Sequence, residues 1–188
     1  MKKIKDLIKP YLSLIFGALF FLLYLNWIRA DGKVFAIGLV AVIISSYYLC
    51  AGILGIVLGE KMPAGLKKVL SILSVSLFPT FMFVFYLLRV IENSDFMGPT
   101  AWVIYPLCMG ASLLMVVFYI ISRFEKSAVI VRLTGLFAAV FAIALVTDLL
   151  FDAQGNEATF ATIGVVTLLV YVIYIVLLFN SLAKEKAE

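Results

Sequence analysis

TFATIGVVTLLVYVIYIVLLFNSL, from Thr159 to Leu182, is an apolar run long enough to cross a bilayer. Wound as an α-helix at about 1.5 Å per residue, it outruns the roughly 30 Å of hydrocarbon. A strand of a membrane barrel would have to alternate apolar and polar residues over about ten positions, and the stretch Val165 to Val170 (VVTLLV) does not. The segment is therefore predicted to be a transmembrane helix.

Five more runs share this character, about Tyr11 to Ile28, Val34 to Leu58, Leu66 to Leu88, Ala101 to Ile121 and Ala128 to Leu150. Each is long enough to span. Charged or helix-breaking turns separate them: Arg29 to Lys33, Gly59 to Gly65 with Pro63, Glu92 to Pro99, Arg123 to Lys126, and Asp152 to Glu157 with Gly155. The expected fold is all-α, a polytopic membrane bundle of six transmembrane helices forming one integral domain over residues 1–188. Met1, Lys2 and Lys3 resemble the start of a secretory signal, but the first run can span and has no small-residue cleavage pattern. It is expected to stay as the first helix.

Composition agrees. The chain is 65% hydrophobic and 14% charged, with a mean hydropathy of +1.17, far from the roughly 45 to 50% apolar usage of soluble domains. The net charge of +4 does not point to nucleic acid, because the basic residues flank apolar runs. Cys50 and Cys108 lie alone inside such runs, without CxxC spacing, and histidine is absent. No disulfide framework or thiol redox centre is indicated, and the commonest metal and haem ligand is missing, so no cofactor is expected.

Alternating the helix ends places Lys2, Lys3, Lys5, Lys9, Lys61, Lys67, Lys68, Arg123, Lys126, Arg132, Lys184 and Lys186 on one side, and Arg29, Lys33 and Arg89 on the other. Twelve basic residues against three is a positive-inside signal. The second side carries Asp31, Glu92, Asp95, Asp148, Asp152 and Glu157, with Tyr24, Trp27, Trp102 and Tyr105 as an interfacial belt. Both termini are expected in the cytoplasm, with the bundle in a bacterial inner membrane.

The three outward turns each join an ascending helix to a descending one that opens with apolar residues around a small one, which suggests three repeated hairpins. Phe35, Ala36, Ile37 and Gly38 match Phe160, Ala161, Thr162, Ile163 and Gly164, with Ala101, Trp102, Val103 and Ile104 as a looser middle copy, at a spacing of about sixty residues. In length, in this triplication and in the opening Ala36, Ile37, Gly38, the chain resembles the HdeD-type membrane proteins, small six-helix bacterial inner-membrane proteins linked to acid resistance. That resemblance implies a stress-related role and supplies no catalytic residues. A division into two three-helix halves, as in transporters with inverted repeats, also fits the loop lengths.

No ionisable side chain falls at mid-bilayer, where it would mark a proton or ion pathway. Arg29, Arg89, Glu92 and Asp148 lie at outer helix ends, and Arg132 about one turn inside the opposite end of the fifth helix, all within reach of snorkelling. Asp148 sits deeper than its acidic loop. Arg89, Glu92 and Asp148 form a candidate outward gate or cation site, or else a salt bridge joining two hairpins, with Arg89 the expected partner of Asp148.

Near the midplane lie Ser45, Ser46, Tyr47 and Tyr48, Thr80 beside Pro79, Ser112, and Tyr171 with Tyr174. Ser45, Ser46, Tyr48, Thr80, Ser112, Tyr171 and Tyr174 are candidates to line one uncharged pocket, helped by the carbonyl that Pro79 frees. The competing reading is that these hydroxyls bond across packed helices. Gly135 with Ala139, Ala138 with Ala142, and Ser71 with Ser74 are spaced for close helix contact.

Enzyme signatures such as HExxH, the P-loop and GxSxG are absent, and no carboxylate pair lies at mid-membrane. Two functions stay open. One is a non-enzymatic protein acting through lipid or protein contacts, alone, as a homo-oligomer or as a subunit of a complex. The other is a transporter or substrate-binding subunit for a neutral or aromatic solute, similar in size and topology to vitamin-binding subunits of bacterial uptake systems. From those the first helix departs, since Ala18 is followed by Leu22 where paired alanines are usual. A transporter predicts a hydroxyl-lined cavity of roughly 300 Å³ or more; a contact protein predicts a filled interior.

Overall fold

The computed structural model describes residues 2–31, 35–93, 97–125, 127–152 and 158–185, and side chains within 8–25, 38–59, 61–91, 97–125, 127–150 and 162–179. Six α-helices follow one another: α1 (Lys2–Asp31), α2 (Phe35–Leu58), α3 (Ala64–Asn93), α4 (Pro99–Phe124), α5 (Ala128–Asp152) and α6 (Ala158–Glu185). Among the described residues there is no strand. Each helix contains a window long and apolar enough to cross a membrane. The chain is thus an all-helical, multi-pass bundle.

The helices overrun the apolar runs at several ends: α1 starts at Lys2 and α3 reaches Asn93. Hydropathy ends where the hydrocarbon ends, but backbone hydrogen bonding has no reason to stop at that plane. The α2–α3 connection is tighter than an open loop. A 3₁₀ turn, Gly59–Lys61, follows α2 directly, and Gly59 takes φ of +46°, a left-handed conformation that a residue with a Cβ adopts at a cost. Pro99 stands in the first turn of α4, after Gly98 as N-cap, where its missing N–H is not needed.

Each helix packs against its neighbours in sequence, and α6 returns to α1, so the six form a closed ring. The most extensive seam is α1–α2. A Cβ added at Gly52 would come within 2.8 Å of the Pro10 carbonyl oxygen and 2.9 Å of the Leu14 nitrogen, and one at Gly17 within 3.0 Å of the Ser45 oxygen. Glycine therefore lets the two backbones approach. Gly38 abuts Tyr24 of α1 and Gly164 abuts Leu149 of α5. The α5–α6 seam is looser than α1–α2 or α4–α5.

Between 22% and 39% of the residues in each spanning window are buried. The ring consequently turns most of its apolar side chains outward, among them Ile43, Val57, Val103, Ile143 and Leu169. An apolar girdle of this extent is far larger than the patches soluble monomers expose.

Rings from five helices pack together inside. Phe16 of α1 lies edge-on to Tyr48 of α2 (4.6 Å between centroids) and Phe78 of α3 (5.3 Å), and 5.0 Å from Tyr171 of α6. Phe78 also meets Tyr171 at 4.7 Å and Phe141 of α5 at 6.2 Å. The fourth helix adds Cys108, Ala111 and Met115, all buried. Edge-to-face geometry at these separations contributes about 0.5 to 1.5 kcal/mol per pair beyond simple burial.

Candidate functional site

Four tyrosine hydroxyls inside the ring converge on one helix, α3. Leu70, Ser71, Ser74 and Val75 share a face of α3, being spaced one and four residues apart. Tyr47 of α2 donates to the Leu70 carbonyl (2.7 Å) and shares a hydrogen bond with Ser74 Oγ (3.0 Å). Tyr48 donates to the Ser74 carbonyl at 2.5 Å. From α4 the Tyr119 hydroxyl pairs with that of Ser71. From α6 Tyr171 donates to the Val75 carbonyl at 3.2 Å.

The last bond has a covalent cause. Residue 79 would normally donate its N–H to the carbonyl of residue 75, but proline has none, so the Val75 oxygen lacks its partner along the helix. An unsatisfied carbonyl in hydrocarbon costs several kcal/mol. Tyr171 meets that need from across the ring. The carbonyl freed by Pro79 thus serves as a tie between α3 and α6.

The seven pocket candidates divide accordingly. Tyr48 and Tyr171 meet on adjacent carbonyls, and Tyr174 lies 6.5 Å edge-on from Tyr48. Ser45 bonds the Ala41 carbonyl (2.7 Å) and Ser112 the Met109 carbonyl (2.9 Å), each within its own helix. Ser46 and Thr80 point outward and are exposed. The seven are not gathered around one space.

Asp148 is half-buried near the far end of α5, and its Oδ2 accepts from Tyr86 at 2.6 Å. Tyr86 is buried, its ring tilted against that of Tyr105 at 4.9 Å, with buried Cys108 in the same core cluster. Arg89, the partner expected from charge, instead places its guanidinium 5.2 Å above the Phe85 ring, within cation–π range. The side chain of Glu92 lies outside the described residues. A phenol therefore donates to the carboxylate.

Space occurs elsewhere. A cavity of about 110 Å³ opens between α5 and α6, lined by Gly135, Ala138, Ala139 and Ala142 on one wall and by Leu168, Val172 and Val176 on the other, with Tyr171 at its inner side. Its lining is overwhelmingly apolar. The small residues spaced for helix contact leave a groove here, because α6 does not close fully onto them.

No family model, curated protein or solved structure matches this chain. Several residues that organise the interior were outside the candidate set: Tyr47, Tyr86, Tyr119 and Ser13, whose hydroxyl donates to the Tyr48 carbonyl at 2.9 Å. Their signal in the sequence is faint. Two of these bonds, from Tyr47 and Ser13, end on backbone oxygens, which every residue type carries, and only a proline inside a helix, as Pro10, Pro79 and Pro106 are, announces a vacant acceptor.

Proposed function

We propose that this chain is a non-enzymatic protein of the bacterial inner membrane, with both termini cytoplasmic, that works through contacts of its outer surface with lipid or protein. A stress-related role of the kind the HdeD-type resemblance implies, or service as a subunit of a complex, belongs to the same proposal. The observation that carries it is the interior: five helices contribute interlocked rings, and the hydroxyls of Tyr47, Tyr48, Tyr119 and Tyr171 are engaged on α3. A solute site needs free donors around an open volume. The apolar girdle and the groove, by contrast, face outward.

Native mass spectrometry of protein extracted gently from its own membrane tests this, with Tyr48→Phe and Tyr171→Phe variants beside it. Lipid or protein adducts that both variants retain are expected. A water-soluble small molecule that co-purifies and is lost from the variants would replace this reading with that of a transporter for a neutral or aromatic solute.

A further inference from the structure

The groove between α5 and α6 spans the middle of α5 and the C-terminal part of α6. Its lining runs from Gly135 to Ala142 on α5 and from Leu168 to Phe179 on α6, about 10 Å along the α5 axis at 1.5 Å per residue. At Gly135 an added Cβ would meet nothing within 4 Å. The volume is about 110 Å³. A helix, about 10 to 12 Å across with its side chains, cannot enter a space that small; a stretch of hydrocarbon chain can.

Among the described residues, a cation lies on the same face of α5 as this groove. Arg132 is exposed on α5, three residues before Gly135 and seven before Ala139, and so shares their face. Helical side chains lean toward the N-terminus, which carries its guanidinium away from the groove and toward the membrane surface. Guanidinium forks bind phosphate oxygens bidentately. Arg123, Glu125 and Lys68 lie at the same end of the bundle, with a net excess of one cation among the three. Hydrocarbon below and a cation above match the two parts of an anionic phospholipid.

We infer that the α5–α6 groove is a binding site for one acyl chain of an anionic phospholipid, whose headgroup phosphate is held by Arg132. This rests on the contact reading proposed above and names the lipid and the place. The occupant is lipid, not a second copy of the chain, because the groove admits a chain of methylenes and the nearest charge selects a phosphate.

The test uses the full chain, stripped of native lipid in detergent and titrated separately with phosphatidylglycerol and phosphatidylcholine, with adducts counted by native mass spectrometry. Wild type should hold phosphatidylglycerol about fivefold more tightly, the factor that one basic side chain near an anionic surface contributes. Arg132→Gln should abolish that preference while retaining neutral adducts. Gly135→Leu, which fills the groove from a position with free space, should reduce both lipids. Equal binding of the two lipids by wild type, a preference that survives Arg132→Gln, or lipid binding that Gly135→Leu leaves unchanged would overturn the site, as would a dimer that Gly135→Leu abolishes. None of these results would bring back a soluble ligand, so the broader contact reading would stand or fall separately.

Discussion

A proline in α3 and a tyrosine in α6 share one carbonyl group, that of Val75. Their energies should therefore be coupled. Tyr171→Phe is expected to lower unfolding stability in bicelles by about 1 kcal/mol, within the range measured for hydrogen bonds between membrane helices. Pro79→Ala restores the N–H that Val75 would otherwise receive, so Tyr171→Phe made in that background should cost much less. An equal cost in both backgrounds would mean that the tyrosine serves another acceptor. At this scale the sequence was only half legible. Pro79, Tyr48 and Tyr171 stood out, but as walls of a space; that they close on the backbone of α3 depends on atoms common to all residues. The same holds for Asp148, whose carboxylate accepts from the buried phenol of Tyr86, a partner that charge alone does not point to.

Glycines do different work on different helices, and one comparison exposes it. At Gly52 the atoms facing an added methyl are the Pro10 carbonyl and the Leu14 nitrogen, both backbone, so the α1–α2 seam itself must widen. Gly52→Ala should lower the unfolding midpoint, at about 1 to 3 kcal/mol, as overpacking does. Gly110 of α4 has nothing within 4 Å, and Gly110→Ala should be neutral or stabilising by up to about 1 kcal/mol through helix propensity. Equal effects of the two would mean that the close approach of α1 and α2 is not what holds them. Elements were the most legible level of this protein. Apolar length alone separates the six helices, because lipid removes the option of leaving backbone groups unpaired. Seam tightness was not legible: Gly135 and Gly52 look alike in sequence, and one faces a groove while the other faces a backbone.

For the whole molecule, the asymmetry of Lys and Arg predicts an orientation that reporter fusions can check. A phosphatase and a fluorescent-protein reporter placed after Glu188 and within the turn at residues 152–157 should report cytoplasm and periplasm respectively. The reverse pattern would overturn the charge argument. Ring order is a property that no hydropathy profile contains, since six apolar helices can be arranged in many ways around an axis. Here the first helix packs against the last, and Phe16 of α1 lies 5.0 Å from Tyr171 of α6. That closure has a consequence for biosynthesis. As the nascent chain leaves the ribosome, α1 to α5 enter the membrane with a gap in the wall, the rings of Phe16 and Phe78 open to lipid and the Val75 oxygen still without its tyrosine. Only the arrival of α6 seals the wall, so synthesis of that one helix, Ala158–Glu185, sets the moment at which the ring can close.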